Sequence, residues 1–289
     1  TDYDSENPEN VSQWYIQTAN DTITEGLRAR LTVFWMNHFV TELDSYGSYA
    51  PYMFQYYNLM QTYTLGNFKE FVRAVGVNST MLIYLNGFEN TSNNPNENYA
   101  RELFELFTLG ENNNYTQQDI LQAARALTGY NHWDDPGAQI YFDQSTWDSD
   151  PKTVFGSEEF YTYDQLIDTL FDLRETEIAQ FICTKLYKFF VSHEYDSLTQ
   201  QDIINPLAQT LIDANFEMVP MLKQLFKSQH FFDQRALGIV IKSPFDVVFN
   251  YINEGNFFYN EPVLNGLVYH TGILGQQIYS PPDVSGWQR

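Results

Sequence analysis

The stretch NNPNENYARELFELFTLG, residues 93–110, decides the fold class because its apolar residues recur with the period of a helix. A helix over residues 96–109 would place several apolar side chains on one face, which we predict to be buried. These side chains include Leu103, Leu106 and Phe107. Pro95 before the helix and Gly110 after it are typical boundary residues. The stretch therefore predicts an amphipathic helix in an all-α protein.

Charged residues follow the same helical spacing on the opposite face. Glu97, Arg101 and Glu105 stand four residues apart, and such ladders are common on solvated helices, where each pair contributes about 0.2–0.5 kcal/mol. The same residues, with Glu102 beside them, are also suited to catalysis, since carboxylates act as general bases and arginine holds anionic groups. The spacing favours the solvated ladder, and it predicts that Arg101 pairs with Glu97 or Glu105.

Helical patterning recurs along most of the 289 residues. Thr116 with Asp119 forms a capping box at the start of one such segment. Residues 130–160 differ, because they are rich in Asp, Gly, Pro and aromatic residues and lack a helical period. Residues 1–11 are polar and are predicted to be frayed. We predict one multi-helix domain over residues 1–289, interrupted by a long irregular insertion that includes a small hairpin.

The composition limits the partners that the chain can take. It carries 37 acidic and 15 basic residues, a net charge of −22, whereas nucleic acids and anionic membrane surfaces are bound by basic surfaces. We therefore expect no nucleic-acid partner. No run of about 18 apolar residues is present, so no membrane span is predicted. The single cysteine, Cys183, lies in an apolar helical run and is interpreted as a buried structural thiol.

Two histidines introduce an alternative to a purely structural interpretation. His38 lies in FWMNHF on an apolar helix face, where a hydrogen-bonded core histidine is more common than a ligand. His132 follows a predicted helix at the start of the insertion. With Glu102, the two histidines would supply nitrogen and oxygen ligands to zinc, iron or manganese. The full set of catalytic candidates is His38, Glu97, Arg101, Glu102, Glu105 and His132.

The insertion offers ligands of its own. Asp143, Asp148 and Asp150 are candidates for a calcium site, because calcium is bound through carboxylate oxygens. Their spacing does not match the EF-hand loop, and a solvated acidic loop is the more common outcome for such a sequence. Exposed Tyr and Trp side chains on the insertion would also stack on sugars or other polymers.

Four motifs together resemble the bacterial domain-of-unknown-function 1800 family. They occur in the family's order and span most of the chain: FWMNHF, PNENYARELFELFTLG, YTQQDILQAARALTGY and PPDVSGW. The resemblance implies an exported protein that is periplasmic, on the cell surface or extracellular. Members of the family are usually longer and are often encoded beside proteins that resemble secreted sulfatases. We therefore expect N- and C-terminal parts of the family domain to be missing from this chain.

One position departs from the family pattern. Trp147 stands where the family usually has a histidine, while Asp148, Lys152 and Gly156 follow as they do in the family. A metal ligand or general base at that position would be lost in this chain. The departure weakens the enzyme hypothesis for this member.

Three functions remain open at this point. The first is an exported protein that binds or assembles with an extracellular protein or polysaccharide, which the acidic charge, the aromatic content and the lack of a complete catalytic motif favour. The second is a metal-assisted hydrolase acting on an extracellular polymer. The third is a non-catalytic partner of a secreted hydrolase. Convergence of the candidate residues on one pocket would favour the enzyme, whereas closed ion pairs would favour the other two.

Overall fold

The computed structural model describes residues 3–133, 138–236 and 238–287. Within these ranges most of the regular structure is α-helical. The helices are α1 (Tyr3–Thr24), α2 (Leu27–His38), α3 (Ala50–Tyr63), α4 (Phe68–Gly76), α5 (Ser79–Tyr84), α6 (Asn98–Glu102), α7 (Gln117–Ala126), α8 (Tyr163–Leu173), α9 (Glu175–Phe190), α10 (Ser197–Thr199), α11 (Asn205–Asp213), α12 (Met218–Lys227), α13 (Pro244–Gly255) and α14 (Glu261–Ile273). No helix in the described part of the chain has both the length and the apolarity that a membrane span requires. The all-α prediction is confirmed.

The irregular insertion contains a small β-hairpin. Strands β1 (Lys152–Val154) and β2 (Ser157–Glu159) pair antiparallel, and β1 packs against α7. The turn residues Phe155 and Gly156 have φ of 51° and 79°, as two-residue hairpin turns with both positions at positive φ require. The remaining described residues of 130–160 are irregular, as predicted, apart from one 3₁₀ turn over Gln144–Thr146 and a β-bridge between Tyr130 and Phe142. Residues 134–137 lie outside the described ranges.

Side-chain caps set the start of several helices. The predicted capping box is present at α7, where Thr116 accepts from the Asp119 backbone N–H and the Asp119 carboxylate accepts from the Thr116 N–H. Thr162 with Gln165 caps α8 in the same way. Each box satisfies backbone donors that a helix N-terminus leaves without partners. These local signals explain why the helix boundaries could be predicted.

The N-terminal segment differs from its prediction, because α1 is helical from Tyr3 onward. Its inner face is held by distant parts of the chain. Thr18 shares a hydrogen bond of 2.7 Å with the Tyr279 hydroxyl, and Ala19 is fully buried. Helix α1 packs against α3, α13 and α14. Tertiary contacts of this kind supply most helical stability in proteins, and a polar sequence does not reveal them.

The core is centred on aromatic side chains of α2 and α4. Trp35 has no exposed surface, and its ring lies 5.5 Å from that of Phe68 and 5.3 Å from that of Phe71. The Trp35 indole N–H donates to the Thr64 carbonyl at 3.1 Å, so its polar atom is satisfied inside the core. Cys183 is also buried, as predicted.

Asn37 on α2 holds the C-terminal PPDVSGW motif. Its side-chain oxygen accepts from the Trp287 backbone N–H at 2.7 Å, and its amide group donates to the Trp287 carbonyl at 3.3 Å. Gly286 has φ of 80°, and a Cβ there would lie 2.3 Å from the Asn37 Oδ1 atom. Only glycine therefore permits this close approach. The contact joins the first and last of the four motifs.

We expect Gly286→Ala to destabilise the protein more than Gly156→Ala, which is the matched control. Both glycines have nearly the same φ, 80° and 79°, but a Cβ on Gly156 would meet nothing within 4 Å. The backbone strain of about 1–3 kcal/mol is common to both variants, whereas the clash with Asn37 adds about 1–3 kcal/mol only to Gly286→Ala. Urea unfolding of the two variants measures the difference. Equal losses would show that the Asn37 contact is not tightly packed.

Candidate functional site

The predicted charge ladder forms a closed set of ion pairs. Helix α6 begins at Asn98, so Glu97 stands at its entrance. The Arg101 guanidinium contacts Glu97 at 2.6 Å and Glu105 at 3.0 Å, which confirms the predicted pairing with both partners. These pairs use the i, i+4 spacing that the sequence shows.

Gln117 joins the ladder to α7. Its side-chain oxygen accepts from Arg101 Nη2 at 2.8 Å, and its amide group donates to Glu97 Oε2 at 2.6 Å. The Arg101 side chain is 31% exposed, but its guanidinium already has three partners. The arrangement links the second and third motifs and offers no free cation to a substrate. It is a scaffold contact.

The helix changes character after Glu102. Residues Leu103–Thr108 form a π-helical turn, and the Leu109 N–H donates to the Phe104 carbonyl five residues back, at 2.9 Å. Leu103 and Phe107 are buried as predicted, whereas Leu106 packs against the core but is only partly buried, so its prediction is confirmed in part. The physical reason is the wider turn, which rotates side chains away from the positions that a 3.6-residue period assigns.

The carbonyls of this turn are used by His38 and Lys185. His38 is 2% exposed, and its Nε2 atom lies 3.1 Å from the Phe107 carbonyl. A carbonyl only accepts, so Nε2 carries the proton. Burial, and then the charge of Lys185, hold the pKa of His38 well below its ordinary value. His38 is therefore a neutral core histidine in the Nε2–H tautomer.

Lys185, on α9, approaches the neighbouring carbonyl. Its Nζ atom lies 3.5 Å from the Leu106 oxygen and 5.1 Å from the centre of the Phe181 ring. Burial lowers the pKa of Lys185 to about 8. Two adjacent carbonyls of the π-helical turn therefore each face a nitrogen donor: Lys185 approaches that of Leu106, and His38 approaches that of Phe107.

His132, unlike His38, makes its contacts within the insertion. Its Nε2 atom is 2.7 Å from Asp143 Oδ2, and its ring stacks on Tyr141 with centroids 4.6 Å apart. Hydrogen bonds from His132 and then from Ser145 hold the pKa of Asp143 at about 2. His132 therefore pairs with one of the calcium candidates and is part of the insertion's own packing.

The other two calcium candidates, Asp148 and Asp150, do not share the surroundings of Asp143. Asp148 is buried and contacts Arg125 at 2.6 Å and Lys152 at 3.6 Å. Burial opposes its ionisation, yet the Arg125 hydrogen bonds keep the pKa of Asp148 below its ordinary value. Asp150 is exposed. Across the described ranges, no three His, Cys, Asp or Glu side chains are grouped so that they could hold a metal ion.

Trp147, the departure from the family pattern, has a packing role. The Lys152 ammonium lies 5.2 Å from the centre of the Trp147 ring, and Lys152 is 1% exposed. The aromatic face and the Asp148 carboxylate together stabilise this buried cation. In this chain the position contributes packing to the insertion.

Glu102 differs from Glu97 and Glu105 because it forms no ion pair with any of the described residues. Burial, followed by repulsion from Glu105, raises the pKa of Glu102 to about 7. The pKa of Tyr84 is raised to about 12 by burial and then by the charges of Glu42, Asp283 and Glu102. We call these four residues the Tyr84 cluster. A carboxyl group with a pKa near 7 can take up and release a proton at neutral pH, as general acid–base chemistry requires.

The sequence did not identify the Tyr84 cluster as a site. No local sequence pattern indicates that Tyr84 is a site residue, since it lies in a short apolar segment that is typical of a buried core. Asp283 does lie in PPDVSGW, the fourth motif, but nothing in its spacing connects it to Glu102. Of the six catalytic candidates, the structure brings Glu97, Arg101 and Glu105 together, while His38 and His132 have separate partners.

We expect Glu102→Gln to stabilise the protein at pH 8 and to have almost no effect at pH 4. Because folding raises the pKa of Glu102 from 4.5 to about 7, the protonated form is favoured in the folded state. The resulting loss of unfolding free energy is absent below pH 4.5 and grows as the pH rises from 4.5 through 7. Removing the charge should raise the free energy of unfolding by about 1–3 kcal/mol at pH 8.

Urea unfolding at the two pH values measures this effect. Glu159→Gln, at an exposed position, is the matched control and should change stability little at either pH. A gain for Glu102→Gln that is equal at pH 4 and pH 8 would contradict the raised pKa.

Comparison with known proteins places this chain in a family. A family model described as "Protein of unknown function (DUF1800)" matches residues 2–289. Comparisons with curated proteins and with solved structures found no match. The four motifs and the family model agree. The chain belongs to the DUF1800 family.

Proposed function

We propose that this protein is exported and binds an extracellular protein partner through the surface at the end of α14. The sequence-based catalytic candidates, apart from Glu102, have closed contacts, which favours binding over catalysis. The observation that carries the proposal is a set of large apolar side chains that are more than half exposed. They are Ile241 (77%), Tyr269 (67%), Ile273 (62%) and Leu274 (56%), and we call them the α14 ridge.

The α14 ridge separates two grooves. Tyr269 and Ile273 line a groove of about 640 Å³ between α1 and α14. Ile241 and Leu274 line a second groove, of about 430 Å³, whose wall also contains Trp287. Apolar side chains between concave surfaces are typical of the central part of a protein–protein interface, where anchors of one partner fill pockets of the other. A large exposed apolar patch is rare on a surface that meets only water.

Charge supports a protein partner at this surface. The chain has a net charge of −22, yet no charged residue lines the groove between α1 and α14 among the residues described there. Burying this surface therefore removes few ions from water, which keeps the desolvation cost of association low. Export follows from the family resemblance and remains a proposal that fractionation can test.

We expect a photo-crosslinking amino acid at Tyr269 or Leu274 to capture one partner protein in the native host. The full-length protein, followed through cell fractionation, should be found outside the cytoplasmic membrane. The same amino acid at Gln209, an exposed position on α11, is the control and should give no adduct. Adding Ile273→Asp should abolish the adduct without lowering the melting temperature, because Ile273 is 62% exposed.

The results separate the alternatives. Equal adducts from Tyr269 and Gln209, or none from either ridge position, would contradict binding through the α14 ridge. Recovery from the cytoplasm would contradict export. If the captured protein is a hydrolase, the protein is the non-catalytic partner of a secreted enzyme.

A second candidate function is hydrolysis of an extracellular polymer by acid–base chemistry at the Tyr84 cluster. The specific observation in its favour is the pKa of Glu102, about 7, on a carboxyl group whose charge also raises the pKa of Tyr84. Release of reducing ends or acyl groups by the wild-type protein, lost in Glu102→Gln, would place catalysis ahead of binding.

A further inference from the structure

We propose that the groove between α1 and α3 binds a neutral, hydroxyl-rich glycan. The groove has a volume of about 590 Å³ and lies apart from the α14 ridge and from the Tyr84 cluster in its lining residues. The argument uses six of those residues: Asn7, Asn10, Gln13, Trp14, Gln17 and Phe54. They come from two helices and combine amide groups with aromatic rings. The proposal is independent of the partner site on the α14 ridge.

The α1 side of the groove is one face of a helix. Asn10, Gln13, Trp14 and Gln17 follow the spacing i, i+3, i+4 and i+7, which places their side chains in one row. None of the described residues that line the groove is charged, although the chain contains 37 acidic residues. The chemistry of this wall is that of neutral hydrogen-bonding groups.

The two glutamines are oriented by carboxylates behind them. The Gln17 amide group donates to Asp21 Oδ1 at 2.7 Å, and that of Gln13 donates to Glu261 Oε1 at 3.2 Å. Ionised carboxylates only accept, so each glutamine must turn its NH₂ group toward its partner. Each side-chain oxygen and one N–H then remain for a ligand. Hydroxyl groups match this set, because they donate and accept at once.

The aromatic pair supplies the second element of glycan recognition. Trp14 and Phe54 have ring centroids 5.2 Å apart at an angle of 35°, and Phe54 is 47% exposed. Trp14 is supported from behind by Tyr57, at 6.3 Å, whose hydroxyl donates to Asp21 at 2.8 Å. Sugar rings have C–H faces that pack on aromatic rings and hydroxyl edges that reach amides. The groove presents both surfaces to one ligand.

Asn7 makes the groove a formed site. Its amide group donates to the Ser48 carbonyl, and its oxygen accepts from the Ala50 backbone N–H, each at 2.8 Å. These bonds join α1 to the first residue of α3 and hold the two walls at a constant separation. A site that is already ordered loses less entropy on binding. The carboxylates of Asp21 and Glu261 behind the amides disfavour anionic ligands.

The test is affinity electrophoresis of the whole chain in gels that contain a soluble polysaccharide. The neutral probes are an α-glucan, a β-glucan, a galactomannan and a xyloglucan, and the anionic probe is alginate. We expect at least one neutral probe, but not alginate, to retard the wild-type protein. Phe54→Ala should weaken that interaction at least about tenfold, which corresponds to about 1.4 kcal/mol. Gln13→Glu should weaken it further, because it places a second carboxylate beside Glu261.

Phe257→Ala is the matched control, since Phe257 has the same exposed fraction as Phe54, 47%. It should leave the retardation unchanged, and so should Ile273→Asp on the α14 ridge, which separates this proposal from the proposed partner site. Retardation by none of the neutral probes would overturn the proposal. Equal retardation by alginate, retention of affinity in both Phe54→Ala and Gln13→Glu, or displacement of the glycan only by peptides would also overturn it.

Discussion

The hydrogen bond between His38 and the Phe107 carbonyl is the interaction on which the rest of the structure depends. The Nδ1 atom of this buried imidazole has no hydrogen-bond partner among the described residues. The Nε2 atom does need a partner, since its N–H is buried and an unsatisfied buried polar group costs about 1–3 kcal/mol. The π-helical turn supplies one by presenting Phe107 to the core while its carbonyl points to α2. The bond connects the first motif to the second. It also places Asn37, the preceding residue, where it holds Gly286 and Trp287.

Two arginines of this acidic chain are held in ion pairs that connect structural elements. Arg101 is held by Glu97 and Glu105, and Arg125 is held by Asp148. Cations in such pairs are not free to receive an anionic substrate. Glu102 forms no ion pair with the described residues, and burial followed by repulsion from Glu105 raises its pKa to about 7, a value suited to proton transfer at neutral pH.

Although the chain has a net charge of −22, two surfaces beside α1 are lined by uncharged residues among those described. On one side α14 provides an apolar ridge, and on the other α3 provides a groove of amides and aromatic rings. The two surfaces differ in chemistry, so they suit different ligands. An apolar ridge matches a protein that buries its own apolar side chains, whereas paired amide donors and acceptors match hydroxyl groups. One helix therefore positions both of the proposed binding surfaces.

The sequence by itself determined the features that depend on residues within one or two helical turns of each other. The all-α class, the capping box of Thr116 with Asp119, and the pairs of Arg101 with Glu97 and Glu105 all follow from spacings of three or four residues, because a helix repeats every 3.6 residues. The irregular insertion was predicted because that repeat is missing. The family was recognised from its four motifs.

Only the tertiary structure decided the features that join distant residues. His38 and His132, considered together as metal ligands, have separate partners, because packing of the core places His38 against Phe107 while the insertion pairs His132 with Asp143. The π-helical turn leaves Leu106 packed against the core but only partly buried, since a local pattern assumes a regular period. The Tyr84 cluster and the groove between α1 and α3 combine residues from separate segments of the chain. Their positions follow from how helices pack, which the periodicity of a single helix does not contain.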